Sequence, residues 1–422
     1  MTAPSPQGPH GSQGPHGSQG PPTPRGGRTQ EEIRRGNLGA LLRHVHLNGP
    51  VSRSALAGRM GLNRSTIMAL TAELTAAGLV REELPADTRR AGRPSLVVRP
   101  ESGRVYVLAF DVRVDRLVAA RVGLGGVILD RREAVRRRRA DADLDDVVGV
   151  LAEFGRQLRR EADPGSVCAG VGAAYCGMIR PADGTVRYGP YMGWVDQAFG
   201  DELAAGLGLP VSVGNEAHLG ALAEHERGAG VGFDNLVYLH GDVGVGGGII
   251  VGGRLLGGDG GYGCELGHMV INPYDGRPCM CGSRGCLEAE VGEHALIDAA
   301  GRSGELTGRE GVRAVVAAAG HGDEAATEAL RQIGDWLGIG VANLINLFNP
   351  GLVIFGGMLR DVYPGSAEHV RRRVEANVLL ISRERVRLRV SALGDDATLI
   401  GAAELAFSSL MAGPLEALAH LR

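Results

Sequence analysis

Three cysteines fall within eight residues, Cys279, Cys281 and Cys286, in a C-x-C-x4-C loop that also holds Gly282 and Gly285. Three thiolates on a pliant loop can wrap one soft or borderline ion, and a structural zinc then asks for a fourth ligand from elsewhere in the chain. A redox-active thiol pair and unmetallated cysteines are the competing chemistries for the same residues. Glu265 and Glu288 bracket the loop. A buried carboxylate accepts hydrogen bonds from vicinal hydroxyls and discriminates against ligands that lack them, because an unpaired acceptor is costly. Upstream runs the glycine-dense stretch GDVGVGGGIIVGG, Gly241–Gly253, which by itself is weak evidence for a nucleotide. Cys168, Cys176 and Cys264 lie outside the cluster and read as small core residues.

A second chemistry sits near the N-terminus. Ser52 can cap a short helix carrying Leu56 and Met60, Gly61 stops it, and Asn63 can cap another with Ile67, Leu70 and Leu74 inward until Gly78. Two capped helices around a tight glycine turn spell helix-turn-helix, whose second helix enters the major groove. Its outward residues, Arg64, Ser65, Thr66, Met68 and Ala69, with the cap Asn63, are candidates for base and phosphate contacts. Arg89-Arg90-Ala91-Gly92-Arg93-Pro94 and the strand Leu96–Arg99 form a candidate wing, with Arg90 and Arg93 placed for a minor groove. Residues 1–100 hold thirteen Arg against six Asp plus Glu, although the whole chain carries a formal charge of -3. That asymmetry points to a polyanion partner and predicts salt-sensitive binding. A helical module that docks protein, with a solvated arginine loop, is the competing reading.

These groups must be positioned by a larger frame. Residues 1–27, with GPHGSQ repeated at 8–13 and 14–19, offer almost nothing apolar to bury and read as a disordered low-complexity tail. Residues 28–100 read as the DNA-binding module, opened by a helix with Leu38, Leu41, Leu42 and Val45 on one face. From 104 the pattern becomes α/β, with strands at Val105–Phe110, Leu117–Val122 and Val167–Val171, and a last helix around Leu399–Leu410. No apolar run spans a bilayer and no secretory leader is present at the start, so a cytoplasmic protein with no membrane partner is expected.

The segment Gly241–Glu288, with Glu265-Leu266-Gly267-His268 and the cysteine loop, resembles the ROK family of repressors, open reading frames and kinases. Gly170-Val171-Gly172 through Gly177, Arg187–Asp196, Asn215-Glu216-Ala217 and Asn343–Gly357 extend that resemblance to nearly everything after residue 30. The resemblance implies a winged helix-turn-helix followed by a two-lobed sugar-kinase-like domain of the actin-like, ribonuclease H-like α/β class. Its small lobe would be 104–218, joined by 398–422, and its large lobe 219–397. It also implies that His268 is the fourth metal ligand beside Cys279, Cys281 and Cys286, and that Gly177, Asn215, Glu216, Glu265, His268 and Glu288 line a sugar pocket. One departure stands out: family members often carry a sugar-touching Asn before Gly193-Trp194, where this chain has Tyr191-Met192.

Kinase chemistry is missing from the expected places. Sugar kinases of this fold hold ATP on a turn of the type Asp-x-Gly-Gly-Thr, whereas this chain has Asp111-Val112-Arg113-Val114-Asp115. Glu216 stands where the kinases carry a catalytic Asp, and Asp242 where Thr is common. The expectation is therefore a homo-oligomeric, dimeric or tetrameric, sugar-responsive repressor of carbohydrate genes with no catalytic residues. Its partners would be operator DNA and a sugar or sugar phosphate, and structural Zn2+ would be bound. An ATP-dependent sugar kinase with an appended DNA-binding module is the alternative.

Overall fold

The computed structural model describes residues 29–85, 95–136 and 143–421. The tail 1–27 and the wing tip with Arg89, Arg90 and Arg93 lie outside the described residues. The head begins with α1 (Gln30–Asn48), started by a reciprocal Thr29–Glu32 capping box. There follow β1 (Val51–Ser52), α2 (Arg53–Met60), α3 (Arg64–Ala76), β2 (Val80–Glu83) and β3 (Val97–Pro100). Ser52 caps α2 through the Ala55 N–H, Gly61 ends it in the left-handed conformation, and Asn63 caps α3. The strands form a small antiparallel sheet in the order β1-β3-β2, closing the head behind α3.

The first lobe supplies β4 (Val105–Val112), β5 (Arg116–Gly123), β6 (Val127–Val135), α4 (Leu144–Arg160), β7 (Val167–Tyr175), β8 (Met178–Arg180), β9 (Thr185–Gly189), β10 (Trp194–Gln197), α5 (Phe199–Leu207), β11 (Val211–Asn215) and α6 (Glu216–Arg227). The second supplies β12 (Leu236–Gly241), β13 (Val245–Val251), β14 (Arg254–Leu255), α7 (Leu287–Val291), α8 (Glu293–Ala299), α9 (Gly308–Gly320), α10 (Glu324–Phe348), β15 (Leu352–Gly357), α11 (Leu359–Asn377), α12 (Leu380–Arg385) and β16 (Arg387–Val390). Then α13 (Ala397–Ala412) and α14 (Pro414–Ala419) end the chain.

Each lobe is built on a five-stranded mixed sheet, and the two sheets share one topology. In β6-β5-β4-β7-β11 and in β14-β13-β12-β15-β16, the first strand lies at the centre. A hairpin extends the sheet antiparallel on one side, and two parallel strands extend it on the other. Central strands covered on both faces must be apolar throughout, and β4, VYVLAFDV, is buried at every position. That burial includes Asp111, whose charge therefore needs a partner.

Helix α13 packs on β4, β7 and α6. Two glycines allow its closeness to neighbours: a Cβ on Gly401 would lie 2.1 Å from the Leu219 carbonyl oxygen, and one on Gly39 would lie 2.2 Å from that of Met411. Side chains of α1 and α3 therefore join those of α13 and β4 in one continuous core with Leu399, Phe407 and Leu410. The head is thus packed on the first lobe, not strung from it.

Candidate functional site

A cavity of about 850 Å³, solvent at its mouth included, opens between the lobes. Its polar wall carries Asn215 and Glu216 at the β11–α6 junction, with Glu265, His268 and Glu288 from the second lobe; its apolar wall is Met178, Tyr188, Pro190 and Tyr191. All six residues expected around a sugar, Gly177 included, line it. The apolar wall was largely invisible in the sequence, because β8, β9 and β10 form a separate small sheet whose contribution depends on how it overhangs the cleft. Cys176, read as a core residue, is buried and also lines the cavity.

The polar wall divides its labour. Asn215 Oδ1 caps α6 by accepting the Ala217 and His218 N–H groups at 2.9 and 3.1 Å, while Nδ2 donates to the Gly177 carbonyl at 3.0 Å. Its carboxamide thus fixes the helix start and so sets the position of Glu216. Gly177 is required by packing as much as by any ligand, since a Cβ there would lie 2.6 Å from the Tyr188 carbonyl oxygen. Burial, then Asp242 and Asp111 nearby, push the Glu216 carboxyl well above its usual range. Burial and Glu288 raise Glu265 as well, although His268 opposes them. Glu288 Oε2 accepts the Val245 N–H at 2.9 Å, and Tyr191 donates its phenol to the same carboxylate. Tyr191 therefore occupies hydrogen-bonding capacity that a ligand hydroxyl would otherwise meet.

His268 and the three clustered cysteines meet beside this wall. One potential ligand atom from each lies within 4.8 Å of all the others. His268 Nδ1 is 3.6 Å from Cys279 Sγ, and the Cys281 and Cys286 sulfurs are 3.7 Å apart. That is far beyond the ~2.05 Å of a disulfide and suited to sharing an ion. The His268 ring and Cys281 also line the cavity, so the cluster that could hold a metal ion adjoins the candidate ligand pocket.

Behind the pocket, Arg113 enters the space between Asp111 and the second lobe. Its Nε donates to Asp111 Oδ2 at 2.6 Å and its Nη2 to the Asp395 carbonyl at 2.8 Å. Burial opposes its charge, but Asp111, Asp242 and Glu216 together outweigh that and raise its pKa. Two residues on, Asp115 pairs with Arg116 at 3.2 Å. Glu216, His240 and Asp242 form a second group of potential ligands within 4.8 Å. Burial, then Arg113 and Arg309, depress His240 to about 3, so this corner already holds fixed positive charge beside a neutral imidazole.

On the head, Asn63, Arg64, Ser65, Met68 and Ala69 are exposed on α3 and Thr66 is half-buried. Asn63 Oδ1 accepts from both the Thr66 backbone N–H and the Ser65 hydroxyl at 2.8 Å, so the Asn63 and Ser65 side chains shape the helix start. Arg53 pairs with Glu82, tying α2 to the wing strand β2.

The sheet topology, the inter-lobe cavity and the Glu265–His268 and cysteine motifs coincide with a match to the ROK family model over residues 107–409. The chain belongs to the ROK family. It is 28% identical over 374 residues to the xylose repressor of Bacillus subtilis, covering 88% of this chain and 95% of that protein. It is 30% identical over 318 residues to the glucokinase of Streptomyces coelicolor, covering 71% and 96%. A crystal structure of a ROK family transcriptional regulator, homologous to the E. coli MLC protein, superposes with a TM-score of 0.76 at 27% identity, over 92% of this chain and 100% of that one. A Streptomyces griseus ROK glucokinase solved with glucose and AMPPNP gives 0.61 at 28% identity, over 71% and 98%. The regulators extend over the head; the kinases match a share of the chain about the size of the two lobes.

Proposed function

We propose that this ROK protein is a sugar-responsive transcriptional repressor of carbohydrate genes whose ligand domain binds a sugar without phosphorylating it. The observation that carries this reading is Arg113, because a guanidinium held by Asp111 and the Asp395 carbonyl occupies ground that a nucleotide phosphate would need. Arg64, Ser65, Thr66, Met68 and Ala69 on α3, capped by Asn63, read the operator, and Arg90 and Arg93 add further DNA contacts. Two heads in a homo-oligomer engage paired half-sites. A sugar kinase carrying a DNA-binding head is the second reading, supported by the glucokinase relatives at 30% identity. Incubation with ATP, magnesium and aldoses decides between them, and measurable sugar phosphate overturns the non-catalytic reading.

The metal is zinc. A tetrahedral site with ~2.3 Å Zn–S and ~2.05 Å Zn–N bonds has S···S and S···N edges of ~3.8 and ~3.6 Å, against 3.7 and 3.6 Å here. Bound through Nδ1, it would fix the His268 ring against the pocket, a structural role.

The effector is an uncharged sugar. The chain has no Lys, and among the described residues no Arg lines the cavity. Other phosphate binders are committed: the first α6 N–H groups to Asn215, Val245 N to Glu288, and Asp242 N to the Gly244 carbonyl at 2.8 Å. What remains is an acceptor-rich wall for hydroxyl donors and an apolar wall for the C–H face of a sugar ring. D-xylose and D-glucose are expected to raise the melting temperature. Stabilisation only by their phosphates would contradict this assignment.

A further inference from the structure

One helix, α6, reaches from the effector pocket to contacts with the DNA-reading head. The N-terminal turn of α6 carries Glu216 into the cavity, and its Asn215 cap holds Gly177. Two residues beyond Glu216, His218 Nε2 meets the Gly263 carbonyl at 3.0 Å, two residues before Glu265. At the other end, Glu226 pairs with Arg43 of α1. Arg227 Nη1 donates to the His46 carbonyl at 3.2 Å and to the Gly125 carbonyl at 3.1 Å, and its Nε donates to Glu404 of α13 at 2.6 Å. The 12 residues between these ends make a rod of ~18 Å.

The far end is a buried polar knot. His46 Nδ1 accepts the Gly125 N–H at 2.9 Å, so Nε2 carries the proton and donates to Glu404 at 3.0 Å. The His46 ring packs edge-on against Phe407 at 4.8 Å. Residues from α1, the β5–β6 turn, α6 and α13 thus share one network, in which Arg227 Nη2 is buried without a hydrogen-bond partner. In a low-dielectric interior such contacts are stronger than in water and costly to break, so the network holds the four elements together. Helix α6 is further held by Glu224, which accepts from the Ser391 hydroxyl and from the Leu393 and Ala229 N–H groups. Displacement at Glu216 is therefore carried along the helix axis and not absorbed in a loop.

We propose that α6 transmits effector binding to the DNA-binding head, and that Arg227 with the Arg43–Glu226 pair are the positioning residues that couple the two sites. This rests on the regulator reading above. Coupling of this kind is a ratio of affinities, the same whichever ligand is measured, typically 5- to 150-fold. Loss of the Arg227 contacts should leave each site intact and remove the ratio.

The test uses the full chain and a duplex selected by it from a random pool, with D-xylose and D-glucose as probes. Operator affinity is measured with and without sugar for wild type, Arg227→Gln and Arg43→Gln, with sugar affinity and melting temperature alongside. In wild type a change of about tenfold is expected. In Arg227→Gln it should fall to within about twofold of unity while the sugar affinity and the sugar-free operator affinity stay near wild type. Arg43→Gln, at a side chain that is half exposed, should show a partial loss even where Arg227→Gln folds poorly. A wild-type ratio kept in both variants overturns the coupling role and leaves the regulator reading standing. Neither sugar changing wild-type operator affinity overturns the regulator reading itself.

Discussion

A guanidinium packed among three carboxylates has no route to lose its charge, and the carboxylates lose their compensation if it is removed. Arg113→Ala is therefore expected to destabilise the fold by about 3 kcal/mol, because Asp111 is left as an unpaired buried charge. Chemical denaturation of that variant and of Asp111→Ala/Arg113→Ala checks this: the double variant should recover much of the loss, and additive losses would contradict it. At the metal cluster, Cys281→Ser is expected to lose the ion and to weaken sugar binding through a freed His268 ring, while operator binding without sugar persists. Elemental analysis showing full metal content would refute the ligand set. On α3, Arg64→Ala should weaken operator binding by about 1–3 kcal/mol if the side chain grips a base. Unchanged binding by fluorescence anisotropy would remove Arg64 from the interface.

At the scale of elements, the docking of α1 on α13 and α6 makes the head sensitive to acid. Burial is the main cause that lowers the His46 pKa below its ordinary 6.5, with Glu404 opposing. A depressed pKa means the fold prefers the neutral ring, so its contribution is complete above pH 6.5 and is lost progressively as pH falls through the folded-state value. His46→Gln removes that titration. The melting temperature difference between pH 7.5 and 5.5 should be smaller in the variant, and an equal difference would contradict the assignment. The elements themselves were legible where local chemistry decides: Ser52, Gly61 and Asn63 mark the head helices, and apolar runs mark β4, β5 and β7. In the cluster of His268 with three cysteines, the cysteines were legible from their spacing and His268 from the family resemblance. Arg113 showed in the sequence only as a departure from the Asp-x-Gly-Gly-Thr turn, since its partner Asp395 lies 282 residues away. The aromatic wall and the His46–Glu404–Arg227 knot escaped for the same reason: they join elements by packing that no local pattern encodes.

The whole molecule combines a ligand domain on the two-lobed frame of sugar kinases with a head that shares its core. Closure of two lobes on a sugar can alter how paired heads meet DNA only if the sugar binds one arrangement better than the other. Reciprocity then demands that operator DNA change the affinity for sugar by the same factor. The most direct test of a non-catalytic, sugar-responsive regulator is calorimetric titration of D-xylose and D-glucose into the full chain, alone and saturated with its selected duplex. At least a fivefold difference in sugar Kd between the two states is predicted for the cognate aldose. The same Kd in both states would contradict the account.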